Sequence, residues 1–322
     1  MIAPVFLILL AVVLAVFGPM VLKRSTWLER SPWVGIAAWQ ALSISLVSTV
    51  VLAGLSLAVP VIPWTTDLAQ LVRACAMALL EQYSTPGGAI VSTTGLVGAA
   101  AVLARVAYSL VSGLTTAARS RTRQLEALAM IASPHENLDA LVIEHAAPAA
   151  YCLPGRNSQI VLTSAALSAL DPKQLDAVLA HERAHLHGRH HLILAAADAL
   201  LHAFPGITAF RDARAALGRL VEMMADDDAA ASSDRLTVAT ALVRLAERSM
   251  TPAAALGAGS ESALNRVRRL LSPARPLGMG RTAVATTATG ALLALPIFFA
   301  IVPAAAAGTM PPCPVDSIST SA

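Results

Sequence analysis

Two histidines stand four residues apart in His181-Glu182-Arg183-Ala184-His185, with a glutamate directly after the first. On a helix, residues i and i+4 lie one turn apart on the same face, so both imidazoles can reach one metal ion. Glu182 can then take a proton from a water on that metal without itself being a ligand. A catalytic zinc takes three protein ligands and keeps a fourth position open, so the third ligand must come from another helix. Downstream, Glu222-Met223-Met224-Ala225-Asp226 offers one. Glu222 is the expected ligand, and Asp226, one turn later on the same face, can accept a hydrogen bond from a ligand imidazole's other nitrogen and fix its tautomer. One Zn2+ per chain is therefore expected. The chemistry open to such a set is hydrolysis of a peptide bond: the ion lowers the pKa of a water towards about 7 and polarises a carbonyl, and Glu182 moves the proton to the leaving amine. A cationic or hydrogen-bonding group should meet the developing oxyanion, and Arg235, His190 and His191 are candidates. Asp227 and Asp228 read as a solvated face.

Several elements must position these residues. Asp171-Pro172 starts the helix that carries both histidines, a side-chain cap followed by proline at the first helical position. Gln174 stands where a capping-box partner belongs. Pro205-Gly206 breaks that helix, and helical periodicity resumes from Phe210 to Ala231, carrying Glu222 and Asp226. Ahead of the helices, Leu138–His145, Ala150–Leu153 and Gln159–Thr163 read as short strands, with Pro154-Gly155 and Arg156-Asn157 turning between the last two. A small sheet plus helices over residues 119–280 is long enough for one α+β domain with its own core.

The rest of the chain is of a different kind. Of 322 residues, 56% are hydrophobic and only 13% charged, against roughly 25% charged in a soluble globular protein. Part of the surface therefore faces lipid rather than water, and disorder, collagen-like repeats and a disulfide-stapled miniprotein are excluded. A spanning helix needs about 20 apolar residues. Ile2 to Leu22, Trp33 to Trp64, Gly88 to about Leu114 and Ala283 to about Val302 all supply them. The first is not read as a cleaved signal peptide, because its basic residues, Lys23 and Arg24, follow the apolar run instead of preceding it. Arg105 falls inside the third stretch, and is expected to snorkel to the headgroups from a span ending near Leu103.

Loop charges orient the spans. Lys23, Arg24 and Arg30 place the first connection in the cytoplasm, and Asp67, Arg73 and Glu81 suit the second to the outside. Arg119, Arg121 and Arg123 follow the third span, and Arg266, Arg268, Arg269, Arg275 and Arg281 precede the fourth. The expected layout is a multi-pass protein of the plasma membrane with both termini outside and the central domain in the cytoplasm. Residues 1–118 form a three-span membrane region with an outer amphipathic loop at Asp67 to Ser84. Residues 119–280 form the cytoplasmic metallopeptidase domain, and residues 281–322 the fourth transmembrane helix and a short outer tail. Cys75 and Cys313 then share an oxidising compartment where a disulfide is permitted, whereas Cys152 stays reduced. The net charge of +3 is local rather than general, so no direct binding of nucleic acid is expected.

The order Ala150-Tyr151-Cys152-Leu153-Pro154-Gly155, Gln159 to Thr163, Leu175 to Glu182, Arg189-His190 and Glu222 to Asp226 resembles the gluzincin membrane peptidases of the HtpX type and of the BlaR/MecR antirepressor type. Three spans, a cytoplasmic peptidase and a fourth span resemble the BlaR/MecR type in particular. The resemblance implies a mostly α integral membrane protein whose four transmembrane helices carry a cytoplasmic α+β gluzincin-like zinc peptidase domain. It implies zinc at His181, His185 and Glu222 with Glu182 as base, and a strand at Tyr151 and Cys152 that pairs with an extended substrate by backbone hydrogen bonds. Two departures stand out. The receptors of that type carry a penicillin-binding sensor domain with a serine and lysine in S-x-x-K beyond the fourth span, whereas here neither Lys23 nor Lys173 follows a serine by three residues. The family strand also often begins with asparagine where Ala149 stands. The expected function is zinc-dependent endoproteolysis of a cytoplasmic protein, a winged-helix repressor, in a signal-responsive circuit. The alternatives are an HtpX-like quality-control protease and a non-catalytic sensor whose metal only stabilises the fold. The lipid bilayer is an expected partner, and a homo-oligomer is left open.

Overall fold

The computed structural model describes residues 2–58, 88–135, 137–155, 158–249, 258–273 and 276–308, with scattered positions from 73 to 87. Most of the outer amphipathic loop, Cys75, Cys313 and the Arg156-Asn157 part of the turn lie outside the described residues. Among the described residues, four helices are long and apolar enough to cross a membrane. They are α1 (Ile2–Arg24), α2 (Pro32–Ala58), α3 (Gly88–Ile131) and α10 (Met279–Gly308). A 3-10 turn, Thr26–Arg30, joins the first two. Helix α3 has 44 residues, which at 1.5 Å per residue is roughly 66 Å, about twice a bilayer's hydrocarbon core. It therefore continues past the apolar stretch through Arg119, Arg121 and Arg123 without a break.

Two compact units form: Met1–Val16, Ile44–Ala104 and Gly290–Ala322 make the first, and Phe17–Ser43 and Arg105–Thr289 the second. In the first, Ser45 donates its hydroxyl proton to the Leu292 carbonyl at 2.7 Å, tying α2 to α10. Helices α2 and α3 approach so closely at Gly54 and Gly95 that a Cβ on Gly54 would lie 2.7 Å from the Gly95 carbonyl oxygen. Nothing larger than glycine fits there.

The second unit is wider than residues 119–280, because it takes in one end of each apolar helix. Lys23 at the end of α1 pairs with Asp212 at 2.6 Å. Arg105 finds a protein partner where a lipid headgroup was expected: its Nε donates to the Ala203 carbonyl. The sheet has four strands, β1 (Ala132–His135), β2 (Ala140–Ile143), β3 (Ala150–Leu153) and β4 (Gln159–Thr163), in the order β1-β2-β4-β3. Strands β1–β2 and β3–β4 pair antiparallel and β2–β4 parallel, so β3 is an edge strand. The pairing of β3 with β4 fixes which groups face outward. Thr163 N–H donates to the Ala149 carbonyl, and hydrogen-bonded and non-bonded pairs alternate in an antiparallel ladder. The backbone groups of Ala150 and Cys152 consequently point away from β4.

Helices follow the sheet: α4 (Ser164–Ala169), α5 (Pro172–His187), α6 (His190–Ala203), α7 (Thr208–Ser232), α8 (Arg235–Ser249) and α9 (Ala258–Leu271). Helix α5 has its capping box, with Gln174 N–H donating to Asp171 Oδ1 at 2.9 Å and Asp171 N–H to Gln174 Oε1 at 3.2 Å. One face of α5 buries Leu179 against Ile160 and Leu162 of the sheet. Another buries Ala177 against Ala229, Val238 and Leu270 of α7, α8 and α9. The helix does not run on to Pro205-Gly206. It stops at Gly188, because Arg189 takes the left-handed conformation with φ +48°, and the chain restarts as α6 in a new direction.

Candidate active site

Helix α5 is fixed at its start by the capping box and along two faces by the core, so its remaining face is held in place. His181, Glu182 and His185 all line a cavity of about 440 Å³ on that face. The edge strand closes one wall with Ala150, Tyr151 and Cys152, α8 supplies apolar Val238 and Leu242, and α7 and α9 contribute Glu222 and Arg266.

The Nε2 atoms of His181 and His185 face each other at 3.1 Å. Glu222 brings Oε2 to 3.6 Å from the first and Oε1 to 3.5 Å from the second, and one donor atom of each residue lies within 4.8 Å of the others. Tetrahedral zinc with bonds near 2.0–2.1 Å spaces its ligand atoms by roughly 3.4 Å, so the three atoms trace one face of such a site. The charges agree. With both imidazoles neutral, as metal ligation requires, Glu182, Glu222 and Asp226 are opposed by one guanidinium, Arg266, which leaves the cluster two positive charges short, the deficit a divalent ion makes good. The residues therefore fit zinc.

Each imidazole is oriented from behind. Asp226, 1% exposed, sits with Oδ1 3.1 Å from His181 Nδ1, a close ionic contact out of line for a well-formed hydrogen bond. His190, also 1% exposed, places Nδ1 2.9 Å from Nδ1 of His185. If His185 donates its Nδ1 proton there, its Nε2 lone pair is aimed at the metal position. His190 thus stands behind a ligand and does not line the cavity, and neither do Arg235 and His191. Arg235 instead donates to the carbonyls of Leu270 and Arg269 at 3.0 and 2.7 Å, capping the end of α9. Asp227 is more than a solvated face: both its oxygens accept from Arg269, at 2.8 and 2.6 Å. Asp228 is exposed, as expected.

Arg266 is the residue that sequence reasoning missed. Its guanidinium donates to both oxygens of Asp226, at 2.8 and 2.6 Å, reaches Glu222 Oε2 at 2.8 Å, and stands 3.5 Å from His181 Nε2. The available signal was a pair of arginines three apart, Arg266 and Arg269, matching the adjacent Asp226 and Asp227.

The electrostatics follow from burial and these partners. Burial tends to raise Asp226, but the Arg266 hydrogen bonds and His181 overrule it and hold its carboxyl at about 2. Burial tends to lower His181, yet the Asp226 and Glu222 carboxylates outweigh it and lift the ring to about 9. Burial pushes Glu182 above the usual carboxylate range, only partly offset by His181 and by the Cys152 thiol. Burial and the neighbouring Glu182 together push the Cys152 thiol up to about 12, so it is a neutral donor at that carboxylate.

Residues 115–274 match the family model described as Peptidase family M48. M48 peptidases are zinc metalloproteases, so the match supports a metallopeptidase function for this segment. Comparison with the curated proteins and with solved structures found no match.

Proposed function

We propose that the M48 peptidase domain of residues 115–274 is a membrane-anchored zinc endopeptidase that cuts a cytoplasmic protein, a winged-helix transcriptional repressor, when a signal reaches it through the apolar helices. The observation that carries the proteolytic reading is the convergence of His181 Nε2, His185 Nε2 and the Glu222 carboxylate beside Glu182, in a cavity walled by an open strand edge. A structural zinc site is closed by four protein ligands, whereas a catalytic one keeps a position free. Three ligands with a base alongside favour catalysis over a metal that only stabilises the fold. The four apolar helices and the basic residues near their ends support a plasma-membrane protein with the domain in the cytoplasm.

An extended peptide would add to the sheet at β3, bonding to the outward backbone groups of Ala150 and Cys152. The apolar wall of α8 suits an apolar substrate side chain. When bound, zinc would supply Lewis-acid polarisation of the scissile carbonyl and acidify a water. Glu182 would take that water's proton and pass it to the leaving amine; its raised pKa makes it a stronger base than an exposed carboxylate. Asp226 faces Nδ1 of His181 and His190 faces Nδ1 of His185, placements that favour the tautomers leaving Nε2 free. Arg266 is the cation nearest the position where oxyanion charge develops, in the place sought for Arg235.

The deciding experiment compares proteome and transcripts of wild-type and Glu182→Gln cells. Accumulation of one uncut regulator, with its target genes silent, supports the antirepressor reading. Stabilisation of many damaged membrane proteins instead supports quality control, and no difference overturns both.

A further inference from the structure

A second cavity, of about 760 Å³, lies against the same helices as the catalytic one. Met223 and Asp227, the sequence neighbours of Glu222 and Asp226, form part of its wall, so the two cavities share α7. The 3-10 turn Thr26–Arg30 and the last turn of α9 complete it. Five arginines line this space. Two are committed: Arg269 is held by both oxygens of Asp227 and donates to the Glu29 carbonyl at 3.1 Å, and Arg235 is held by the carbonyls ending α9. The other three, Arg30, Arg219 and Arg268, are exposed and have no acidic partner among the described residues. Against them the cavity offers the single free carboxylate of Glu29.

Three guanidiniums gathered round one concavity repel each other unless an anion joins them. The forked guanidinium matches phosphate oxygens two at a time. The volume exceeds what an inorganic phosphate needs and suits a phosphate carrying a polar glycerol-like group. The position narrows the source. A link of only seven residues, 25–31, between two bilayer-crossing helices has to lie at headgroup depth, where the abundant anion is the phosphodiester of acidic lipids. We propose that Arg30, Arg219 and Arg268 form a binding site for the phosphate group of an anionic phospholipid. The inference rests on membrane insertion of α1 and α2 and is independent of the substrate. Because Arg266 and Arg269 sit one turn apart on α9 and grip Asp226 and Asp227 of α7, a headgroup bridging this cleft braces the helix pair that holds Glu222 and Asp226 in place.

The test uses the full-length protein purified in a neutral detergent, with thermal unfolding followed as phosphatidylglycerol, phosphatidylcholine, glycerol 3-phosphate or inorganic phosphate is added. Phosphatidylglycerol should raise the melting temperature by several degrees and phosphatidylcholine should not. The combined Arg30→Gln, Arg219→Gln, Arg268→Gln variant should need about tenfold or more lipid for half the effect, since each lost charge-assisted contact weakens binding severalfold. Arg123→Gln on α3, an exposed arginine outside the cleft, should respond as wild type does. Should the triple variant fail to fold, Arg268→Gln alone, on an exposed side chain, should still weaken the response by about threefold or more, a loss within the range of one such contact. Equal effects of the two lipids, or an unaltered response in the arginine variants, overturn the site. A full shift from inorganic phosphate alone, with nothing added by the lipid, overturns the lipid assignment and leaves a soluble phosphate as the occupant.

Discussion

Arg266 grips Asp226 with two parallel hydrogen bonds, Nε to Oδ2 at 2.8 Å and Nη2 to Oδ1 at 2.6 Å, while its third nitrogen reaches Glu222 at 2.8 Å. One guanidinium therefore controls both the carboxylate behind His181 and the carboxylate that completes the metal set. The pair is buried, with Asp226 at 1% exposure and the Arg266 side chain at 14%. A charged pair removed from water this far is held together by necessity, since either member alone would be stranded.

Arg266→Leu should accordingly destabilise the domain by about 3–5 kcal/mol, the range for removing one partner of a buried ion pair. Arg266→Lys keeps the charge but not the fork, and should fall between the two. Denaturant unfolding in detergent measures both; a loss below about 1 kcal/mol for Arg266→Leu, the level of an exposed pair, would show that the pair carries no structural weight.

The same contact predicts a pH signature in metal-free protein. Asp226 is held at about 2, below its ordinary 3.8, so its contribution is complete above the ordinary value and is lost as pH falls through 2; a displacement of nearly two pH units corresponds to roughly 2–3 kcal/mol. His181 is raised from 6.5 to about 9, in part by Asp226, so its contribution is complete below 6.5 and is lost as pH rises through 9. The stability gap between wild type and Asp226→Asn should therefore form a plateau between pH 4 and 6.5 and shrink on both sides. A gap that stays constant from pH 2 to 9 would disprove the linkage.

What the sequence made legible was what helix geometry enforces locally. His181 and His185 share a face because they are four apart, Glu222 and Asp226 for the same reason, and the Asp171 box reads directly as a helix start. The sequence positions that were misread depend on contacts between elements. Arg266 lies 40 residues from Asp226 in a basic run that membrane topology already seemed to explain. Arg235 falls at a helix start, where its long side chain turns to the end of α9. Strand β1, Ala132–His135, contains Pro134 and no alternation of apolar and polar residues, and it is defined by its antiparallel pairing with β2, a contact between elements. The stop at Gly188 carries no proline to announce it; the left-handed backbone of Arg189 ends the helix there.

Glu182→Gln should lower peptidase activity by about a thousandfold or more, within the range for loss of a general base, while zinc content stays at one per chain. Glu222→Gln should lose the ion itself. Metal analysis beside activity on a peptide separates the two. A chelator should abolish wild-type activity and added zinc restore it. Retained activity in Glu182→Gln would remove the carboxylate from the reaction.

Gly188 offers the sharpest check on how the second ligand is held. A Cβ there would lie 2.5 Å from His190 Nε2, 2.7 Å from His190 Cδ2 and 3.1 Å from the Ala184 carbonyl oxygen. Backbone strain is not the obstacle, because Gly188 has φ −72°; the obstacle is the buried imidazole packed over it. His190 has little room to give, being 1% exposed with its other nitrogen 2.9 Å from His185. Gly188→Ala should therefore push His190 off His185 and free the ligand ring to turn, lowering zinc affinity by about 10–100-fold, the usual cost of losing a group that orients a ligand. His190→Ala should give a loss of the same order, and the two changes combined should cost little more than either alone, since both break one contact. Losses that multiply would mean that Gly188 acts through the α5–α6 turn itself and not through the His190 ring.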